Sequence, residues 1–336
     1  MATSSQSPVP LRIGVAVWNY CEKGLPLLDL VRELATWKVE TLSFLPVQIA
    51  DLRPEDRPRF LRILDEHRLG VTVHGNCNVT HAQAETIVNL LGPRLLAFTL
   101  DSAIRTDSRG VFFDAVRMAR VLADVRDLTR DSGTRFGVED FPLDDLAVDF
   151  YRSDMASLFE CPRFGILIDL GHMNIRSRKE DYFRGTATQE FLRRIPVPIV
   201  EIHVHDNAGD RDSHAPAGAG NVPFEETARS LVALGFSGVS TIEVAPSLHG
   251  RLPGESRPAL RQTLLFWREC LGKAAAQPSS APSGKEKHGS CKTPMRLTTG
   301  SPSITKPAAI PSFEGRGCAE PFRGEGFCGC LKHVQT

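Results

Sequence analysis

Short apolar runs alternate with amphipathic stretches through the first 271 residues of the chain. The apolar runs have the length and the Val, Ile, Leu and Phe content of buried strands. They predict strands at 11–17, 39–45, 70–74, 95–99, 135–139, 165–169, 199–205 and 239–243. Apolar residues at helical spacing predict helices at 25–37, 54–68, 80–91, 110–130, 151–159, 181–193, 221–234 and 257–271.

This alternation predicts parallel strands that are joined by helices. Eight such units in about 260 residues match the size of a (β/α)8 barrel. An open, doubly wound sheet usually has a glycine-rich first turn, which Gly14 alone does not provide. The predicted fold class is therefore α/β, a (β/α)8 TIM barrel.

The composition changes at both ends of the chain. Residues 1–10 form a polar leader that we predict to be flexible, and residues 272–336 are rich in Pro, Ser, Gly and Ala without an apolar period. Such a segment cannot bury enough apolar surface to offset its ordering entropy, so we predict a disordered C-terminal tail. The predicted catalytic barrel spans 11–271. The tail cysteines lack zinc-site spacing, and we interpret them as incidental.

Charge and hydropathy restrict the class of protein. The 40 basic and 40 acidic residues balance, which argues against a protein that coats nucleic acid. No apolar run is long enough to cross a bilayer. The N-terminus lacks the basic start and the apolar middle of a secretory signal. We therefore expect a cytoplasmic protein without membrane or nucleic-acid partners, and a homo-oligomer stays open.

The most informative stretch is EIHVHDNAGDRDSHAPAGAG, which runs from Glu201 to Gly220. Glu201, His203 and His205 alternate with apolar residues, so they share one face of the predicted strand. One carboxylate and two imidazoles are costly to bury unless a charge balances them. Both groups suit divalent cations. The alternative is a strand whose histidine rings hydrogen-bond to nearby backbone.

Four candidate ligands end four consecutive predicted strands: Glu139, Asp169, His205 and Glu243. The carboxyl ends of barrel strands open into the active site, where polar residues usually serve chemistry. Three converging carboxylates repel one another in a partly buried pocket, and a divalent cation removes that repulsion. The alternative is separate salt bridges to arginines of the barrel. Four ligand-type residues at the same position of four consecutive strands favour the metal site.

These segments resemble the xylose isomerase-like TIM barrels. This superfamily includes sugar-phosphate isomerases and epimerases and the apurinic endonucleases of the endonuclease IV type. The resemblance covers about residues 11–270, and its most specific parts are GVED, IDLGHMN, EIHVHDN, DSHAPAGAGNVPF and STIEV. In ketose 3-epimerase-like members, the equivalents of the four strand-end ligands bind one divalent metal, and the equivalents of Glu139 and Glu243 also move the proton. The residues that match His172 and Arg211 lie beside the substrate in those relatives.

In endonuclease-like members, additional zinc ligands match His74, His172, Asp212 and His214. Those members also have a histidine from the fourth strand, where this chain has Phe-Thr-Leu-Asp at 98–101. The resemblance therefore favours a single-metal site of the sugar type. The four additional residues are then left to contact the substrate or the metal ligands.

Two further features each have two interpretations. Gly218-Ala219-Gly220 follows the seventh predicted strand, where barrels often hold phosphate, but we favour a plain turn into the next helix. Trp18 follows the first strand and either walls the pocket or simply packs. No predicted strand ends in lysine, as a Schiff-base aldolase needs, and no GxSxG or Walker pattern is present.

The sequence thus predicts a metal-dependent isomerase or epimerase of a sugar, a sugar phosphate or a polyol. One cation, Mn²⁺, Mg²⁺, Co²⁺ or Zn²⁺, would chelate two neighbouring substrate oxygens and stabilise an enediolate, while Glu139 and Glu243 remove and return a proton. The predicted substrate contacts are His74, His172, Arg211, Asp212, His214 and Trp18. A dehydratase of an inosose-like ketone, a phosphoesterase on abasic DNA and a non-catalytic binding barrel are the alternatives.

Overall fold

Eight parallel strands close into a barrel in the computed structural model, in the order β1-β2-β3-β4-β7-β8-β9-β10. The structure describes residues 11–22, 24–101, 104–106, 110–112, 115–139, 158–179, 188–195 and 197–276. The barrel strands are β1 Arg12–Ala16, β2 Thr41–Phe44, β3 Gly70–Gly75, β4 Leu95–Leu100, β7 Arg135–Glu139, β8 Phe164–Asp169, β9 Ile199–Val204 and β10 Val239–Ile242. This confirms the predicted fold class. All eight predicted strands are present, within two residues of the expected bounds.

Helices cover the outside of the barrel. They are α1 Leu27–Ala35, α2 Pro46–Ala50, α3 Arg57–His67, α4 His81–Leu91, α5 Ala115–Leu128, α6 Leu170–Lys179, α7 Thr188–Arg194, α8 Phe224–Ala233 and α9 Pro253–Ala276. Thr80 caps α4 as predicted, because its hydroxyl accepts the Gln83 N–H at 3.2 Å while the Gln83 side chain accepts the Thr80 N–H at 3.0 Å. Among the described helices, none is long and apolar enough to cross a membrane.

Several predicted helices have different bounds in the structure. The first three residues of the predicted 110–130 helix form β6, Gly110–Phe112, which pairs antiparallel with β5, Ile104–Thr106. The segment Gly-Val-Phe suits a strand better than a helix. Helix α8 begins after Pro223 rather than at Asn221, whose side-chain oxygen accepts the Asn174 Nδ2 hydrogen instead. Helix α9 continues to Ala276, beyond the predicted boundary at 271.

Two of the described helices were not predicted at all: the short helix α2, which begins at Pro46, and α6. Helix α6 begins directly after β8, because Asp169 Oδ1 accepts the His172 N–H at 2.8 Å and so satisfies the first turn. The predictions for the leader, for the tail with its cysteines, and for residues 151–157 and 181–187 lie outside the described residues.

The apolar core lies between the barrel and its helices. Phe44, Phe60, Phe136 and Trp267 are fully buried there. Since every barrel strand runs in the same direction, all eight carboxyl ends open at one end of the barrel. The polar residues that end these strands therefore share one site.

Candidate metal centre

Four polar side chains meet at the carboxyl end of the barrel. Glu139 and Asp169 are the last residues of β7 and β8, and Glu243 follows β10 directly. His203 lies in β9, in register with Asp169 of β8. We call these four residues the strand cluster. Each is buried, with an exposure of 6% or less.

The ring of His203 lies between the two glutamates. Its Nδ1 is 2.8 Å from Glu243 Oε2 and 3.5 Å from Glu139 Oε1. Ligand atoms of Asp169, His203 and Glu243 lie within 4.8 Å of one another, as do those of His74, Glu139 and His203. In the part of the chain that the structure describes, neither ring nitrogen of His203 has a partner with hydrogen-bonding geometry. A buried nitrogen of this kind, beside converging carboxylates, is suited to bind a cation.

The charges of this cluster depend on one another. Burial raises the pKa of Glu139 to about 8, although His203 opposes the shift. Burial would also raise the pKa of Glu243, but His203 lowers it to about 2. The pKa of Asp169 is lowered too, because neighbouring histidines outweigh its burial. Burial lowers the pKa of His74 to about 3, which keeps its ring neutral and able to bind a cation.

A second group of ligands lies beside the first. His172 from α6, His205 after β9, and Asp212 and His214 from the next loop place ligand atoms within 4.8 Å of one another. We call these four residues the loop cluster. Asp212 Oδ2 is 2.9 Å from His214 Nε2 and 3.3 Å from His172 Nε2, and Asp212 Oδ1 is 3.6 Å from His205 Nε2. The two clusters are in direct contact. His205 Nε2 lies 2.9 Å from Asp169 Oδ1, and ligand atoms of Glu139, Asp169 and His172 lie within 4.8 Å of one another.

Glycine allows the loop cluster to form against the start of α6. A Cβ atom at Gly171 would lie only 2.0 Å from His205 Cε1, so a larger residue would displace the ring. The next residue, His172, is fixed by its N–H bond to Asp169. The segment IDLGHMN thus positions one ligand of the loop cluster and leaves room for another.

The loop between β9 and α8 has no regular secondary structure but is tightly held. Asp206 and Ala215 form an antiparallel bridge, with N–H···O distances of 2.8 and 2.9 Å. Asn174 of α6 donates from Nδ2 to Asn207 Oδ1 at 2.9 Å, which joins the loop to the helix. His214 has a positive φ of 44°, and its carbonyl accepts the Ala245 N–H. These bonds determine where Asp212 and His214 lie.

The predicted ligands are distributed over both clusters. The sequence predicts His205 as the imidazole ligand next to the glutamates, whereas the ring between the glutamates is His203. Strand β9 ends at Val204, so His203 is the last residue of the strand on that face. A ligand role of His205 stays a prediction, supported by its contact with Asp169.

The remaining predicted residues lie in different surroundings. His74 Nε2 is 3.5 Å from Glu139 Oε2, beside the strand cluster. The ring of Trp18 is buried and stacks on His74, with centroids 5.9 Å apart and an interplanar angle of 29°. Arg211 is exposed, and its backbone N–H donates to Asp210 Oδ1. Substrate contacts by these residues stay predictions.

The sequence placed Glu201 on the polar face of the seventh strand with His203 and His205, but it did not predict the position that Glu201 takes below His203. This side chain is fully buried below His203, with Oε1 at 3.9 Å from His203 Nε2. It accepts hydrogen bonds from the hydroxyls of Thr241 at 2.7 Å and Thr72 at 2.9 Å. Burial raises the pKa of Glu201. The alternation of strand β9 places Glu201 on the face of His203, so the signal was present in the sequence.

Comparison with known proteins agrees with this architecture. Residues 87–270, more than half of the chain, match the xylose isomerase-like TIM barrel family. The chain belongs to this family. The membership confirms the resemblance inferred from the motifs. The matched segment contains both clusters, whereas the neighbouring His74 lies outside it.

Two relatives of this xylose isomerase-like chain come from Methanocaldococcus jannaschii, and both are uncharacterised proteins. One is 27% identical over 125 residues, which are 36% of this chain and 41% of the relative. The other is 24% identical over 114 residues, which are 34% of this chain and 41% of the relative. The chain therefore aligns with less than half the length of these relatives.

Solved structures share the fold at low identity. A xylose isomerase-like TIM barrel protein from Mycobacterium smegmatis, in complex with magnesium, has a TM-score of 0.57 at 15% identity and covers 79% of this chain and 98% of its own. A D-psicose 3-epimerase in the presence of D-fructose has a TM-score of 0.56 at 14% identity, with coverages of 78% and 100%. The IolI protein with a bound zinc atom has a TM-score of 0.53 at 12% identity, with coverages of 80% and 100%. These likenesses establish the fold alone.

Proposed function

We propose that the protein is a metal-dependent isomerase or epimerase that acts on a sugar or a polyol. The observation that carries this proposal is the strand cluster, in which Glu139 and Glu243 flank His203 with Asp169 beside them. Two buried carboxylates on either side of one site suit the removal of a proton and its return to a small substrate. Family membership and the shared fold of a D-psicose 3-epimerase support the same reaction class.

The strand cluster fits a divalent cation. Carboxylate oxygens and imidazole nitrogens are ligands that Mn²⁺, Mg²⁺, Co²⁺ and Zn²⁺ accept to different degrees. Glu139, Asp169 and Glu243 would hold it together with one imidazole, for which the contacts favour His203 and the sequence pattern favoured His205. When bound, such a cation stabilises negative charge that develops on substrate oxygens.

The two glutamates differ in protonation, and we assign them complementary tasks. Glu243 is ionised beside His203 and is suited to accept a carbon-bound proton. The pKa of Glu139, raised by burial, makes this residue the better proton donor. His74 and Trp18, stacked beside Glu139, lie where they would exclude water from the site.

The loop cluster favours a second candidate function. Four ligands outside the strand cluster would allow a site with several metals, as expected for a phosphoesterase of the endonuclease IV type. The fourth strand has Phe-Thr-Leu-Asp at 98–101, without the further histidine expected for that class, and the Thr99 hydroxyl lies 3.1 Å from His74 Nδ1. The missing ligand makes the single-metal isomerase the better-supported proposal.

Deuterium incorporation tests the proposed reaction. The full-length protein, loaded with each of the four cations, would be incubated in D2O with a panel of ketoses and inosose-like polyols. An isomerase or epimerase places deuterium on a substrate carbon, or shows a primary isotope effect if the proton is shielded from solvent. Loss of water from an inosose would instead identify a dehydratase. Three zinc ions per chain, together with nicking of abasic duplex DNA, would overturn the proposal in favour of the phosphoesterase.

A further inference from the structure

The loop after the seventh barrel strand is a common place for phosphate in this fold, because its backbone N–H groups point to one spot. In this chain, that strand is β9, and the glycine-rich turn of the loop ends at Gly220. The N–H groups of Gly218, Gly220 and Val222 do converge there. They do not converge on open space.

The side chain of Asp206 fills the place where these N–H groups meet. Its Oδ2 accepts the N–H of Gly218 at 2.8 Å and that of Gly220 at 2.9 Å. Its Oδ1 accepts the N–H of Asn207 at 2.9 Å and that of Val222 at 3.1 Å. Asp206 is 1% exposed, so the carboxylate is part of the interior. Four backbone donors stabilise one buried negative charge.

The turn is closely packed around the Asp206 carboxylate at Gly220. A Cβ atom at Gly220 would lie 2.1 Å from the Asn207 carbonyl oxygen and 2.5 Å from Asp206 Oδ1. The first turn of α8, which follows, already contains Glu225 and Glu226. Glu226 accepts the Thr188 N–H at 3.1 Å. A phosphate at this position would therefore meet the Asp206 carboxylate and no free backbone donor of the turn, because the N–H groups of Ala219 and Asn221 also donate within the loop.

We propose that Asp206 is a specificity-determining residue, an internal anion that occupies the phosphate position of the barrel and restricts the site to substrates without a phosphate group there. The inference rests on the proposed function and narrows it, because the sequence left sugars and sugar phosphates open. The same carboxylate holds the loop that carries Asp212 and His214. The N–H groups of the glycine turn thus bind a carboxylate of the protein itself rather than a substrate.

Paired substrates test the inference in the parent protein. Each ketose that reacts would be compared with its terminal phosphate ester under the same metal loading. Since like charges placed together repel one another, kcat/KM should be at least about 100-fold higher for the unphosphorylated sugar. Equal or better turnover of the phosphate ester would overturn the inference while leaving the proposed reaction class intact.

A binding measurement keeps the inference testable if no ketose reacts. Melting temperature would be followed against inorganic phosphate, with saturating Mg²⁺, for the parent, Asp206→Asn and Asp210→Asn. Asparagine at 206 removes the charge, and its single amide oxygen can accept from only one of the two pairs of backbone N–H groups, so phosphate should stabilise Asp206→Asn more than the parent. Asp210→Asn removes one charge from an exposed position of the same loop and should behave as the parent does.

Phosphate that binds at the metal would stabilise all three proteins equally, so the difference between them isolates position 206. An equal shift in parent and Asp206→Asn would contradict the inference. Strong stabilisation of the parent by phosphate, in competition with the sugar, would also contradict the inference. The cations that could bind such a phosphate are Arg178, which packs against Gly209, and the exposed Arg211. If Asp206→Asn does not fold, the substrate pairs and the response of the parent protein to phosphate decide the question.

Discussion

The strand cluster and the loop cluster contain the same kinds of ligand but are built in different ways. The first takes its residues from adjacent parallel strands, whose register is fixed by the barrel ladder. The second takes His172 from a helix and Asp212 and His214 from an irregular loop. The side chain of Asp212 is 36% exposed, whereas that of Glu243 is 4% exposed.

This difference determines how precisely each cluster is held. A residue at a strand end is fixed by the same hydrogen bonds that close the barrel, so the strand cluster should change little on binding a cation. The loop cluster depends on Asp206 and on the contact between Asn174 and Asn207. We therefore expect the strand cluster to bind the first metal ion, and the loop cluster to bind a second ion more weakly or not at all.

Removing the charge of Glu139 or Glu243 should have the largest effect on turnover. Glu243→Gln and Glu139→Gln retain an oxygen donor, and so part of the metal binding, but cannot carry a proton as a carboxylate does. Turnover should fall by about 100-fold or more, the usual contribution of a general base. Steady-state kinetics and metal titration of the same samples would separate proton transfer from ligation. Glu225→Gln, at an exposed glutamate of α8, is the matched control, and a fully active Gln variant at 139 or 243 would exclude that residue.

Exchanging one histidine at a time should distinguish the two clusters. The sequence alone predicts a large loss of metal from His205→Ala and a small one from His203→Ala. The contacts of His203 with both glutamates lead us to expect the reverse, with the first metal site weakened by about 10- to 100-fold in His203→Ala. Calorimetric titration with Mn²⁺ measures both affinities. A greater loss in His205→Ala would restore the original assignment.

Weakening the loop cluster should have a smaller effect on the first metal ion. Asp212→Asn removes the carboxylate that lies between His172 and His214. If a second zinc ion binds there, its affinity should fall by about 10-fold, while the first site stays within twofold or so of the parent. Competition with a coloured zinc chelator would resolve the two steps. A parallel loss at both sites would show that the clusters form a single centre.

The change of folding stability with pH should be the smallest of these effects. Whether stability falls or rises with pH should depend on whether metal is bound. Burial would lower the pKa of His214, but Glu243 and Asp212 raise it to about 10, and burial raises the pKa of Glu139 to about 8. The folded protein without metal thus binds more protons than the unfolded chain between pH 7 and 10. Its stability should fall across this range, by at most about 1.4 kcal/mol per pH unit for each proton.

Metal reverses this dependence, because ligands must lose protons to bind it. Chemical denaturation at pH 7, 8, 9 and 10 would compare metal-free and metal-loaded protein. His214→Asn should flatten the fall in the metal-free protein, while His249→Asn, at an exposed histidine, should not. A metal-free protein that becomes more stable from pH 7 to 10 would contradict the charge states described above.

The strands and most of the strand cluster follow from local patterns in the sequence. A run such as Ile-Leu-Ile-Asp has both the apolar content of a buried strand and a polar end, so Asp169 could be assigned to the barrel mouth. The choice between His203 and His205 could not be made in this way. It depends on whether β9 ends before or after residue 205, and strand ends are the least certain feature of a pattern.

The loop cluster and α6 depend on contacts that no local pattern contains. Asp169 ends β8 and also accepts the N–H of His172 in the first turn of α6. The sequence assigned Asp169 only a ligand role, so its helix-capping role was not predicted. The hydrogen bonds of Asp206 reach 12 to 16 residues along the chain. The sequence suggested a turn at Gly218–Gly220 but offered no sign that an internal carboxylate holds it.

Locating a bound cation tests the central claim most directly. Crystals of the protein grown with one equivalent of Mn²⁺ would be measured at a wavelength where manganese scatters anomalously. We predict a single strong peak within the strand cluster, with oxygen ligands from Glu139, Asp169 and Glu243 and a nitrogen ligand from His203. A peak within the loop cluster alone, or no bound ion at all, would contradict the claim that the strand ends form the metal centre.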